Sequence, residues 1–200
     1  LAIIGYFMVN TAWGPNDTNP YAYDMEKLTR VDSSTLCNSV VSTFPVPLNN
    51  PVGLALNRED ELYVSGDSLI VKIDSSGKIL SSITTGVAAG CITIGNDLLY
   101  VSLIESVAVY NPGGEKVREL IPMKENSYIT SLAVNKEMVF AADAANKEVL
   151  VFTLEGKQLK SIGSNNQSDS VMRFIIPSRY FDIALDPSGY LWIVNPGRHY

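Results

Sequence analysis

Four segments of the chain resemble one another at nearly constant spacing, and a fixed period restricts the fold more than any other property of a sequence. The first elements read Gly53-Leu54-Ala55-Leu56-Asn57, Cys91-Ile92-Thr93-Ile94-Gly95, Ser131-Leu132-Ala133-Val134-Asn135 and Asp182-Ile183-Ala184-Leu185-Asp186. Each ends on a small or polar turn residue. A second element follows with an aromatic in register, at Tyr63, Tyr100, Phe140 and Trp192. Third elements run through residues 70–73, 107–110 and 149–152. In those three units a glycine turn then leads to a fourth element, at residues 78–80, 115–117 and 157–159.

Leu54, Ile92, Leu132 and Ile183 are spaced by 38, 40 and 51 residues, the last interval lengthened by a polar insert from Gly163 to Ser170. Four short β-rich runs per period predict propeller blades, each a four-stranded antiparallel sheet. Helical solenoids would show a 3.6-residue apolar period, which nothing here sustains. The best helix candidate, residues 23–29, amounts to a turn or two. The expected fold is therefore all-β, a β-propeller. Its short connections carry turn formers, with glycine at Gly77, Gly113, Gly114 and Gly156 supplying the positive φ that hairpins need.

The third unit, Ala141 to Phe152 followed by Thr153-Leu154-Glu155-Gly156-Lys157, resembles the NHL repeat, in which a strand ending in Ala-Asp meets a short Asn-bearing loop and then a Val-x-Val-Phe strand. The fourth unit is similar to a variant with Asn195 in place of the Asp and Pro196-Gly197 inserted after it. The first two, around Asp67 and Glu105, keep the strand pattern without the Asp-x-x-Asn spacing and read as degenerate blades. The resemblance covers about Pro51 to Tyr200. Domains of that family commonly close as six-bladed rings, which implies about three and a half blades of six in residues 51–200. An incomplete propeller in turn suggests a piece of a longer protein, because an open arc leaves apolar sheet faces in water. Propellers often close by letting one terminus lend a strand to the blade begun by the other. Within the lead-in, residues 21–50, the segment Val40 to Phe44 suits an outermost strand of the last blade. Residues 39–44 are accordingly expected to pair with no strand of the first blade.

Residues 1–20 comprise an apolar stretch, Leu1 to Val9, and a polar, turn-forming linker. Nine residues are too few to span a bilayer, and the stretch reads as the tail of a signal peptide or N-terminal anchor, or else as a first strand. An extracytoplasmic location, periplasmic or at the cell surface, is expected on that reading, with membrane contact only through such an anchor. The net charge of −6 with 15 Lys and Arg removes the basic footprint of a nucleic-acid binder. Cys37 and Cys91 lie too far apart in sequence for a local metal knuckle. A disulfide between them stays open beside the plainer reading of Cys91 as a small packed hydrophobe.

Consecutive antiparallel strands reverse direction, so the loops between second and third strands share one face with the links between blades. That face collects Asp143, Asn146 and Lys147, the link around Arg179, Tyr180 and Asp182, and the loop with Asn195, Arg198 and His199. These are the candidate partner-binding residues, since rigid β scaffolds place recognition on such connections. The NHL resemblance implies instead that Asp143 and Asn146 tie down their own turn, and Phe181 reads equally as a core plug. His199 is the one histidine, the acids are scattered along turns, and no phosphate loop leads into a helix. No catalytic, metal-ligating or cofactor-binding residues are assigned, and no cofactor is expected. The first reading is a non-catalytic binding or scaffold propeller whose partner is a protein, peptide or glycan. The second, implied by the resemblance, is a hydrolase or lyase holding a metal ion in the central channel.

Overall fold

The computed structural model describes residues 40, 42–163, 174–176, 180–195 and 197. The apolar stretch 1–9, the helix candidate 23–29, Cys37, Arg179, Arg198 and His199 lie outside the described residues. The chain divides into Leu1–Thr43 and Phe44–Tyr200, and every described strand belongs to the second unit.

No helix occurs among the described residues. The first blade is β1 (Pro51–Leu56), β2 (Leu62–Gly66), β3 (Leu69–Ile73) and β4 (Ile79–Thr84). The second is β5 (Ala89–Gly95), β6 (Leu98–Leu103), β7 (Ser106–Tyr110) and β8 (Lys116–Leu120). The third is β9 (Ile129–Val134), β10 (Met138–Asp143), β11 (Glu148–Thr153) and β12 (Gln158–Ile162), and β13 (Ile183–Leu185) with β14 (Leu191–Ile193) forms half of a fourth. Each sheet is a plain antiparallel meander in chain order. The first strands β1, β5, β9 and β13 neighbour one another in sequence, which places them innermost. Val40 and residues 42–46 belong to no strand, while Ser39 and Val41 are outside the described residues.

Side-chain caps explain why the chain reverses where it does. Asn57 Oδ1 accepts from the Glu59 and Glu61 N–H groups, and Asn135 Oδ1 accepts from Glu137 and Met138. Asp186 accepts from Tyr190 at the matching place in the fourth blade. Asp74 and Asn111 do the same for the outer hairpins, accepting from Lys78 and Glu115. These short polar side chains mimic a backbone turn. In the second blade Asn96 and Asp97 take positive φ of 52° and 59°, the two-residue turn that matches strand twist.

The register itself repeats. The inner strand of each complete blade bulges near its start: Pro51 and Gly53 face Gly66 and Ser65, Ala89 and Ile92 face Leu103 and Val101, and Ile129 and Ser131 face Asp143 and Ala142. Every complete blade has a second irregularity at the start of its outermost strand, where Leu80, Val117 and Leu159 are the extra residues. All three of those side chains are exposed.

Alternation puts one apolar face of each sheet against the next blade. Tyr63 and Ile70 of the first blade pack on Ile92, Leu99 and Val101 of the second. Tyr100, Val107 and Leu120 pack in turn on Leu132, Val139 and Phe152 of the third. Phe140, Val149 and Val151 meet Phe181 and Ile183 of the fourth. Tyr63, Tyr100 and Phe140 are thus wedges between blades, whereas Trp192 is exposed, and each fully buried apolar side chain contributes about 1.5–3 kcal/mol relative to exposure. Phe181 is buried with its ring 5.4 Å from that of Phe174, which assigns it to the core.

Candidate functional site

The inner-strand bulges create the site. An extra residue bends a strand and re-aims the side chains beside it. Val52, Gly90, Cys91 and Thr130, drawn from three successive blades, all line one cleft of about 550 Å³ on the face that carries the links between blades. Gly53 and Gly90 permit the close approach that this requires. A Cβ on Gly53 would come within 2.8 Å of the Gly90 carbonyl oxygen, and one on Gly90 within 2.4 Å of Ser102 Oγ. The Ser65 hydroxyl donates to that Gly90 carbonyl, stitching the first blade to the second.

The remaining wall is supplied by Ser102, Ile104, Tyr128 and Tyr180. Among the described residues no charged side chain lines the cleft. Its polar groups are hydroxyls, a thiol and backbone amides, and its apolar groups include the exposed Val52, Ile104, Tyr128 and Tyr180. Such a surface recognises neutral, hydrogen-bonding ligands with stackable faces.

Cys91 donates from Sγ to Ser102 Oγ at 3.2 Å, with the Ile129 carbonyl oxygen 3.9 Å away. Desolvation dominates its chemistry and pushes the thiol up to about 11, against a smaller opposing pull from Ser102. Cys91 is a free thiol among the described residues, and Cys37 lies outside them. Because only the thiolate reacts, alkylation of Cys91 by iodoacetamide at pH 8 is expected to run roughly two orders of magnitude slower than for an ordinary cysteine, rising steeply towards pH 11. Peptide mapping by mass spectrometry would separate it from Cys37. Rapid labelling at pH 8 would refute the assignment.

Asp143 and Asn146 stand behind the cleft rather than in it. Asp143 is fully buried, and its Oδ1 accepts from the N–H groups of Tyr128, Ala145 and Asn146, each at 3.1 Å. Its Oδ2 accepts from Asn146 Nδ2 at 2.8 Å. The carboxylate therefore closes its own loop and also fixes Tyr128, a wall of the cleft. Asp67 plays the corresponding part in the first blade, accepting from Asn49 N–H at 2.7 Å. Lys147 is exposed, at a positive φ of 58°.

One further pair supports the same loop. Glu148 is fully buried, with Oε2 2.8 Å from Lys124 Nζ and Oε1 without a hydrogen-bond partner. Asp182 is exposed, and its Oδ1 accepts from the Ser131 hydroxyl and from Ile183 N–H. Thr130 Oγ1 donates to the Phe181 carbonyl at 2.6 Å, so the third and fourth blades are joined beside the cleft. Asn195 accepts from Ile175 N–H through Oδ1. Of the sequence candidates, then, Tyr180 lines the cleft, while Asp143, Asn146, Asp182 and Asn195 hold the loops around it. Cys91, Ser102, Ile104, Tyr128 and Thr130 were not among the candidates. In the sequence Cys91 opens an aligned inner element and Thr130 immediately precedes one, whereas Ser102, Ile104 and Tyr128 carry no signal of their own.

No family model matches this chain, and no curated protein is similar to it. Solved structures do match in fold. Virginiamycin B lyase from Staphylococcus aureus is similar with a TM-score of 0.55 at 15% identity, over 72% of this chain and 48% of that one. A streptogramin B lyase gives 0.56 at 12% identity, over 75% and 64%. The computationally designed Ika4 protein gives 0.52 at 16% identity, over 80% and 99%. The chain spans about half the length of the virginiamycin B lyase and under two thirds of the streptogramin B lyase. These likenesses concern the fold alone, and with the four antiparallel sheets they make the chain part of a β-propeller.

Proposed function

We propose that this protein is a non-catalytic binding propeller, of NHL type in a six-bladed ring, that holds a protein, peptide or glycan partner at the cleft between its inner strands. The observation that carries this reading is the character of the cleft. It pairs exposed aromatic and aliphatic side chains with neutral hydroxyls and backbone amides, while the acids nearby are engaged in holding loops. The Asp-x-x-Asn loop of the third blade, closed by Asp143 and Asn146, supports the NHL assignment.

The alternative is a lyase or hydrolase with an ion in the channel, of which two structural neighbours share the lyase name alone. A cation of that kind needs several converging oxygen ligands. At the tops of the inner strands stand Gly53, Cys91, Ser131 and Asp182, and Asp182 already accepts from Ser131 and Ile183. Among the described residues no three His, Cys, Asp or Glu side chains converge. The described strand tops therefore do not by themselves assemble a cation site.

Binding of the full-length protein to peptide and glycan arrays tests the proposal. A specific ligand is expected, with affinity reduced at least about tenfold when Tyr128 and Tyr180 are both changed to alanine, since an aromatic anchor contributes about 1–2 kcal/mol or more. Both side chains are exposed, so the fold survives the change. Absence of any ligand above background, or a ligand indifferent to both tyrosines, would sink it.

A further inference from the structure

The polar groups on the floor of the cleft are largely committed to the fold. The Gly90 carbonyl accepts from the Ser65 hydroxyl, and Ser102 Oγ accepts from the Cys91 thiol, which also faces the Ile129 carbonyl. Thr130 donates its hydroxyl to the Phe181 carbonyl. The carboxylates nearby do not line the cleft, since Asp143 closes its own loop and Asp182 accepts from Ser131 and Ile183 N–H. Two hydroxyls keep a hydrogen for a ligand: that of Ser102, whose oxygen receives Cys91, and that of Tyr128 on the wall. The cleft therefore has donors to give while several of its acceptors are in use.

Around this floor stand four exposed apolar or aromatic side chains, each from a different segment. Val52 comes from β1, Ile104 from the turn between β6 and β7, Tyr128 from the link before β9 and Tyr180 from the link before β13. The blades hold them in place, so the rim is a fixed set of apolar projections rather than a flat patch. A volume of about 550 Å³ takes a short segment of chain, not a folded domain.

Three neutral ligand classes fit such a cleft unequally. A sugar carries hydroxyls all round its ring, each donating and accepting, and needs several converging polar side chains to replace water. An ordinary extended peptide presents N–H groups as well as carbonyls, and an N–H taken out of water without an acceptor is strongly penalised. A proline residue has a carbonyl and no N–H. In the polyproline II conformation its backbone is ordered before binding, and its rings make a ridged apolar surface suited to aromatic-lined grooves.

We infer that the cleft recognises a proline-rich segment of a partner protein in the polyproline II conformation. Its rings pack against Tyr128 and Tyr180, and its carbonyl oxygens accept from the Ser102 and Tyr128 hydroxyls. The inference rests on the binding reading of this cleft and gives that reading a ligand class. Because no charged side chain lines the cleft among the described residues, recognition is by shape and hydrogen bonding, and salt has little to screen.

The test is titration calorimetry of the full-length protein with a capped, uncharged peptide of repeated Ala-Pro-Pro triplets. The controls are the same peptide with serine at every proline and a neutral chito-oligosaccharide. The proline peptide is expected to bind at least about tenfold more tightly than either control, with Tyr128→Phe weakening it about threefold and Tyr128→Ala at least about tenfold. Affinity should change less than about twofold between low and high salt. At a free concentration ten times its dissociation constant, the peptide should slow iodoacetamide labelling of Cys91 at alkaline pH about tenfold, which places it in the cleft. Equal affinity for the serine peptide would overturn the inference. So would a proline peptide that binds without responding to Tyr128→Ala or shielding Cys91. An oligosaccharide that binds through both tyrosines while the proline peptide does not would overturn the ligand class and leave the binding reading of the cleft standing.

Discussion

Replacing Asp143 with alanine is expected to lower the unfolding free energy of the protein by about 3–5 kcal/mol. The magnitude follows from what the carboxylate does. Three backbone N–H groups and the Asn146 amide converge on a fully buried side chain. Alanine fills none of those lone-pair positions, and each buried donor left without a partner costs about 1–3 kcal/mol, less where water can reach it. Urea denaturation followed by tryptophan fluorescence would measure the loss. Asp143→Asn should be milder, at about 1–2 kcal/mol, because Oδ1 can still accept from the backbone while its new amide faces that of Asn146, donor against donor. A loss under 1 kcal/mol for the alanine variant would mean that the loop is held by something else, and the argument that Asp143 fixes Tyr128 would go with it.

Phe152→Ala is expected to cost about 3–5 kcal/mol, and Phe152→Leu less than about half of that. Phe152 is fully buried among Val109, Leu120, Leu132 and Val139, residues of both the second and third blades. The vacated space is therefore shared between two sheets. Amide exchange should accelerate together in β6, β7, β10 and β11, because the wedge that couples the blades has gone. Acceleration confined to β10 and β11 would show that the two blades are stabilised independently, contrary to the packing described above.

The architecture was readable because its cause is local and repeated. Alternation at Ile92, Leu132 and Ile183 fixes a buried face, matched in the first blade by the exposed Leu54, and the aromatics at Tyr63, Tyr100 and Phe140 fall on the opposite face of their blades from these positions. Turn residues such as Asn57 and Asn135 act on neighbours two to four positions away, well within reach of inspection. The Asp143 to Asn146 loop was readable for the same reason.

The cleft was not, because bulges have no fixed residue signature. Val52, Cys91 and Thr130 acquire their role from register, which depends on partner strands rather than on their own chemistry. The Ser131 to Asp182 bond joins positions 51 residues apart, and only blade packing brings them together. Glu148 reads as an ordinary strand-edge acid in the sequence. Its burial comes from the link bearing Lys124, which lies against it across 24 positions. The first blade lacks the Asn that marks Asp143, yet its Asp67 makes a hydrogen bond of the same kind to the incoming link.

The irregularities at Leu80, Val117 and Leu159 bear on how this molecule meets others of its own kind. They lie on the outermost strand of each complete blade, the strand whose free N–H and C=O groups could template a neighbour. A strand added alongside would find the hydrogen-bond ladder interrupted within the first few residues, with an aliphatic side chain turned outward at the break. Such irregularities disfavour lateral sheet extension, the common route from β-rich proteins to insoluble aggregates, along these strands.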